Sequence, residues 1–264
     1  METLPIFQVD SFTSKPFKGN PAGVCLLQKQ MSEPWMQDVA SEMNLSETAF
    51  LLEKEDGFNL RWFTPAVEVD LCGHATLASA HMLWEEGILG SEEKARFFSR
   101  SGPLYARQKG SWIELDFPSD PSEPADEPDG LSKALGAEPV HVERGSIGYL
   151  LELGSKDELV GLKPDFSRLN QITDCCITVT CRDLSGEYDF LSRFFAPAFG
   201  IDEDPVTGAA HCTLAPYWAA KLGKKQMTGY QASARGGVVR VRPEGERVYL
   251  SGEAVTVLQG SLIF

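Results

Sequence analysis

The chain has 264 residues, 42% hydrophobic and 23% charged, with a formal net charge of −14. Those proportions are ordinary for a globular protein with apolar side chains for one large core or two modest ones. The acidity argues against a sequence-independent grip on nucleic acid or an anionic membrane, since both need basic surface. No apolar run approaches the roughly eighteen residues of a membrane span. The opening Met1-Glu2-Thr3-Leu4-Pro5 carries an acid and no basic stretch, so no secretory leader is expected. Six cysteines (Cys25, Cys72, Cys175, Cys176, Cys181, Cys212) show no paired CxxC spacing. They read as reduced thiols, mostly core filler, and the expected setting is cytoplasmic.

In chain order, Ile6–Asp10 alternates apolar and polar residues as a half-buried strand would, and Ala22–Leu27 follows a Lys18-Gly19-Asn20-Pro21 turn as a second strand. Ser32–Met43 has helical spacing with Ser32 as N-cap. Thr48–Glu53 and Phe58–Phe63 read as short strands, and Gly73–Glu86 as a helix ended by Gly87. Lys94–Phe98, Leu104–Lys109 and Trp112–Phe117 form an expected meander. Pro118–Asp129 holds four prolines and five acids and reads as a linker. Beyond it come a short helix at Leu131–Leu135, strands at Gly148–Leu153, Cys176–Cys181 and Tyr188–Phe195, and a long helix over Gly208–Leu222. Short strands at Gly237–Arg242, Arg247–Ser251 and Ala254–Gln259 close the chain.

The second half repeats the first. Arg61-Trp62-Phe63-Thr64-Pro65-Ala66 returns half a chain length later as Arg193-Phe194-Phe195-Ala196-Pro197-Ala198. Each copy runs into a glycine and a helix of small residues, at Gly73 and at Gly208. The expected fold class is α+β, with two pseudo-symmetric lobes, each a mostly antiparallel sheet around a central helix. The lobes would be residues 1–118 and 130–254, joined by a linker at 119–129, with a C-terminal strand at about 255–264 completing the first. Two helix starts facing one cleft would hold an anion, because free N–H groups and the helix dipole both favour negative charge.

Few residue types here suit chemistry. Glu47, in Ser46-Glu47-Thr48-Ala49-Phe50, sits at a helix-to-strand junction. Buried there it would suit general acid/base work; otherwise it is one more surface glutamate. Asp204 precedes Pro205 and a Thr207-Gly208 helix start, where it either caps the helix or serves a site. Cys72 opens the other helix as a stabilised thiolate or as a small packed residue. Cys72 and His74 with His211 and Cys212 would make a formal zinc set, but adjacent residues on a helix point about 100° apart, so no metal is expected. HExxH, GxSxG, GxGxxG and the phosphate loop are absent.

Six ordered motifs nevertheless resemble one family. Asp10-x-Phe12, Phe17-x-Gly19-Asn20-Pro21-Ala22, Ser46-Glu47-Thr48-Ala49-Phe50, Arg61-Trp62-Phe63-Thr64-Pro65, Cys72-Gly73-His74-Ala75-Thr76 and Glu203-Asp204-Pro205-Val206-Thr207-Gly208 are similar to those of the phenazine-biosynthesis isomerase (PhzF-like) family. The closest flavour is its phenazine-biosynthesis-like-domain members of unknown substrate. The resemblance implies the diaminopimelate-epimerase fold, two barrel-like lobes with the site between them, and cofactor-independent chemistry, commonly in a homodimer. In the family's characterised member a glutamate moves a proton between carbons of a cyclic dienol acid.

Carried over by motif, Glu47 would be the proton carrier, His74 its supporting acid/base or orienting group, and Asp204 a second polar participant. Gly73 and Gly208 would offer backbone N–H groups to a substrate carboxylate, with Asn20, Cys72 and Ala209 lining the same site. Ala209 stands where the family commonly has serine, which puts the phenazine precursor in doubt as substrate. Cys72 matches the first catalytic thiol of the related two-cysteine epimerases, but Thr207 occupies the second position. The expected function is a cofactor-independent isomerase of a small carboxylate-bearing substrate. A Cys72 racemase or epimerase and a non-catalytic ligand-binding or regulatory protein are the alternatives.

Overall fold

The computed structural model describes residues 2–264, so the Met1 of the opening pentapeptide lies outside the described residues. The chain runs through β1 (Thr3–Ser11), β2 (Asn20–Leu27), α1 (Glu33–Met43), β3 (Glu47–Lys54), β4 (Gly57–Phe63), β5 (Glu68–Val69), α2 (Gly73–Glu85), β6 (Ala95–Ser99), β7 (Gly102–Lys109) and β8 (Trp112–Pro118). It continues through β9 (Glu123–Pro124), α3 (Leu131–Leu135), β10 (His141–Arg144), β11 (Gly148–Glu152), α4 (Lys156–Gly161), α5 (Phe166–Ile172), β12 (Cys176–Arg182) and β13 (Phe190–Phe195). A 3₁₀ turn at Pro197–Phe199, α6 (Gly208–Leu222), β14 (Met227–Gln231), β15 (Gly237–Glu244), β16 (Arg247–Gly252) and β17 (Ala254–Ile263) complete it. Among the described residues no helix is long and apolar enough to cross a membrane.

The chain divides into two compact units, one of Met1–Phe117 with Ser251–Phe264, the other of Pro118–Leu250. In the first, β1 pairs antiparallel with β17 and β2, β2 runs parallel to β3, β3 antiparallel to β4, and β4 parallel to β6, which continues antiparallel into β7 and β8. In the second, β10 and β11 are antiparallel, β11 and β12 parallel, β12 and β13 antiparallel, β13 and β14 parallel, and β14 and β15 antiparallel. The order of pairings is the same. Each sheet is therefore mixed, and each parallel pair is spanned by helix, as a parallel connection requires. The helix α1 joins β2 to β3 and α2 joins β4 to β6, while α4 with α5 and then α6 do the same in the second unit.

The second crossover helix of each unit is buried nearly all round. Along α2 this takes in Ala75, Leu77, Ala78, Ala80, Met82 and Leu83, and along α6 Ala210, Leu214, Ala215, Tyr217 and Trp218. Small residues let the surrounding strands approach, and an apolar circumference fits burial on all sides.

The repeated hexapeptide belongs to this scaffold. Arg61 makes a bidentate pair with Glu68 at 2.6 Å on both arms, and its guanidinium lies 5.1 Å from the Phe63 ring centre. Arg193 repeats the arrangement with Glu203 at 2.7 and 2.9 Å and lies 5.0 Å from Phe195. Both positive charges are thus neutralised beside their own strand rather than offered to an anion.

The proline-rich stretch read as a linker is fastened to the second unit along much of its length. Pro216 sits inside α6 and has no N–H to bond the Cys212 carbonyl one turn back. That carbonyl accepts instead from the backbone N–H of Asp120 at 3.2 Å. The Asp120 carboxylate accepts from the Thr213 hydroxyl at 2.8 Å and from the Ser146 N–H at 3.0 Å. Downstream, β9 pairs with β10, and Glu127 accepts from the Ser132 N–H at 2.7 Å at the start of α3. Two of the acidic side chains that suggest a solvated spacer, Asp120 and Glu127, are here acceptors for backbone N–H groups.

Two stability predictions follow from α6. Asp120→Ala removes two charge-assisted hydrogen bonds and should lower unfolding stability in urea by about 1–3 kcal/mol. His211 is wholly buried, its Nδ1 is 2.8 Å from the Thr207 carbonyl oxygen, and burial pushes its pKa down to about 4, the Thr207 bond offsetting only part of that. A histidine held neutral contributes full stability above about pH 6.5 and loses it as pH falls towards 4. Between pH 7 and 4 the unaltered protein should lose on the order of 3 kcal/mol more than His211→Asn, which keeps a donor for Thr207 and cannot charge.

Candidate functional site

In the first unit the sheet register sets the site. Ala22 of β2 stands opposite Glu47, the first residue of β3, and Asn20 lies two residues earlier, so Asn20 and Glu47 share one face. The helix α2 packs on β1, β2 and β3. Its start is tied down by Ser11, whose hydroxyl donates to the His74 carbonyl at 2.8 Å, and by Thr76, whose hydroxyl donates to the Cys72 carbonyl at 2.5 Å. Asp10, wholly buried, accepts from the Phe17 N–H at 2.7 Å and holds the loop that leads into Asn20. Gly19 in that loop has φ +63°, and a Cβ there would collide with the Ser11 carbonyl oxygen, so the family glycine is a steric requirement.

His74 lies at the centre. Its Nε2 is 3.1 Å from Glu47 Oε2, a contact too bent for a full hydrogen bond, with the side chains only 6% and 14% exposed. On the other side of the ring, Nδ1 is 3.5 Å from Cys72 Sγ and 3.3 Å from Asn20 Nδ2. The Asn20 Oδ1 accepts from the Ser46 hydroxyl at 3.4 Å. Burial pulls the His74 pKa down, but the charges of Cys72 and Glu47 outweigh it and hold the value well above the ordinary histidine range. The stability this pairing contributes is full at low pH and lost as pH rises through the raised folded value. Burial first, then the neighbouring Glu47 charge, pushes the Cys72 thiol up, and His74 acts on it in the opposite direction.

Ligand atoms of Glu47, Cys72 and His74 lie within 4.8 Å of one another, close enough to raise the question of a metal. The imidazole ring answers it. Glu47 approaches Nε2 and Cys72 approaches Nδ1, on different edges of one ring, so the donors do not converge on a single point. The imidazole stands between the carboxylate on one edge and the thiol on the other. The other half of the formal zinc set is occupied elsewhere, with His211 bonded to Thr207 and Cys212 buried and pushed up to about 12 by desolvation.

In the second unit Asp204, Thr207, Gly208 and Ala209 form their own group at the start of α6. The Thr207 hydroxyl donates to Asp204 Oδ2, and Asp204 is nine-tenths buried. As the N-cap of α6, Thr207 spends its side chain on Asp204 and leaves the helix start without a side-chain cap. The Cys72 cap of α2 supplies none either. Neither helix start is therefore closed by a side-chain cap of its own.

Every residue expected to serve a site thus falls into one of these two groups. The sequence reading missed Gln231, which bonds Asp204 and Thr207 from β14, and Ser11. A glutamine ending the short Met227–Gln231 strand, whose centre is Gly229, gives little periodic signal.

Comparisons with known proteins agree with the motifs. A family model described as phenazine biosynthesis-like protein (PhzC-PhzF) matches residues 9–260. An uncharacterized isomerase of Halalkalibacterium halodurans is 53% identical over 264 residues, covering the whole of both chains. The crystal structure of a phenazine biosynthesis protein of the PhzF family from Enterococcus faecalis matches with a TM-score of 0.95 and 38% identity over the whole of both chains. A hydroxyproline epimerase from Agrobacterium vitis shares the fold at a TM-score of 0.69 and 12% identity, covering 99% of this chain and 91% of its own. The chain belongs to the phenazine biosynthesis-like (PhzF) family of isomerase-type enzymes.

Proposed function

We propose that the protein is a cofactor-independent isomerase in which Glu47 takes a proton from carbon on a small carboxylate-bearing substrate and returns it at another position. The observation that carries this reading is the Glu47–His74 contact, in which a buried carboxylate oxygen has no well-aligned donor and faces an imidazole nitrogen at 3.1 Å. A carboxylate so placed keeps a free lone pair for a substrate proton, and the imidazole balances the charge change when that proton arrives. Because the proton goes back to the same molecule, the reaction balances without oxidant or co-substrate. His74 supports Glu47, Asp204 is the second polar participant, and the amides of Gly73, Gly208 and Ala209 stabilise negative charge developing on the substrate.

Asn20 and Cys72 line the same substrate site, with the Asn20 amide facing the His74 ring and Ser46. Each unit is one copy of a duplicated half, with its sheet wrapped barrel-like around the central helix, and a homodimer is part of the same proposal.

A racemase built on Cys72 is less well supported, since the thiol is raised in pKa and Thr207 has its hydroxyl on Asp204. The test is incubation in deuterated water with a panel of small cyclic and amino-acid-like carboxylates, read by mass spectrometry. A turned-over substrate should gain deuterium with the unaltered protein. Glu47→Gln should lower that incorporation by 100-fold or more while changing ligand affinity little, as expected for loss of a general acid/base. Full exchange in Glu47→Gln would remove Glu47 from its role. Tight binding with no exchange in the unaltered protein would favour a ligand-binding protein.

A further inference from the structure

Asp204 enters the function proposed above through its carboxylate, yet the group that sets the hydrogen bonds around it lies outside every motif. Gln231 ends β14 and is wholly buried. Its Oε1 accepts from the Thr207 N–H at 2.9 Å, and its Nε2 donates to the Asp204 carbonyl oxygen at 2.8 Å and to Thr207 Oγ1 at 3.2 Å. The orientation of this amide is decided by its partners. Turned over, it would set a donor against the Thr207 N–H and an acceptor against the Asp204 carbonyl, losing both bonds.

An amide NH₂ can only donate, so Thr207 Oγ1 accepts from Gln231 and its single hydrogen is left for Asp204 Oδ2. The bonds run one way, from amide to hydroxyl to carboxylate. A proton arriving on that carboxylate oxygen would meet the hydroxyl hydrogen head-on.

We propose that Gln231 is a positioning residue that directs this chain and holds Asp204 as a hydrogen-bond acceptor. Its importance for turnover rests on Asp204 taking part in the isomerisation; the direction of the chain does not. Removing Gln231 leaves the Thr207 hydroxyl free to rotate and accept from a protonated Asp204, so proton uptake becomes easier. Removing the hydroxyl does the same more directly.

The test is a substrate-free titration of Asp204 by carbon-13 NMR of labelled aspartate, assigned through Asp204→Asn. Gln231→Met and Thr207→Val should each move the Asp204 titration up by about one pH unit. The double variant should move it no further than Thr207→Val alone, because Gln231 acts through the hydroxyl. No shift in either single variant overturns the proposal, as does a Gln231→Met shift that persists undiminished in the Thr207→Val background. If Gln231→Met does not fold, Thr207→Val and hydrogen exchange of the Gln231 side-chain amide in the unaltered protein decide the matter. A shift with protected amide protons supports the proposal, and a freely exchanging amide overturns it. Should Asp204→Asn leave deuterium incorporation unchanged, the functional role of Asp204 fails while the titration still judges the chain.

Discussion

A helix that begins in the interior brings unpaired backbone donors with it, and the rest of this structure is arranged around two such beginnings. Three other helices close their starts with a side chain: Ser32 for α1, Ser155 for α4 and Asp165 for α5. The two buried crossover helices do not. At α2 the cap position holds a cysteine, and at α6 it holds a threonine whose hydroxyl is turned to Asp204. In each case the neighbouring polar side chains are bonded to one another instead. The parallel strand pairs put these helices where they are, since each pair requires a crossover, and the candidate site is a consequence of that topology.

Much of this was legible from the residues. The spans of α3 and α6 match their sequence signals, and most other strand and helix limits fall within two residues. Periodicity is strong where an element has one buried face, as in α1, and the turn glycines mark where elements stop. The short helices α4 and α5 were missed because six or seven residues carry too little periodicity, although Ser155 and Glu158 have capping-box spacing, with Ser155 Oγ accepting from the Glu158 N–H and Glu158 Oε2 accepting from the Gly154 N–H at 3.1 Å. Sequence also gave no means of telling that Asp120 would answer a carbonyl freed by Pro216, which lies almost a hundred positions away. That pairing exists only in three dimensions.

The site divides similarly. Glu47, His74 and Asp204 could be picked out by motif, but local sequence does not say which imidazole nitrogen faces which partner. Asn20 illustrates the limit: it is wholly buried with its amide facing His74 and Ser46, an arrangement that no local pattern announces. Cys72 is the opposite case. Its place at a helix start suggested a stabilised thiolate, yet burial and the adjacent Glu47 charge raise its pKa, because desolvation opposes the charged form more than the helix start favours it.

The two Arg–Glu clamps are each closed within a short stretch of chain, Arg61 to Glu68 and Arg193 to Glu203. Each of these arginines finds its countercharge inside its own unit. Copying such a stretch copies the arginine together with its countercharge, and a substitution in one clamp leaves the other paired. Independence of this kind lets duplicated halves drift apart, one acquiring a glutamate beside a histidine and a thiol, the other a threonine held between an aspartate and a glutamine.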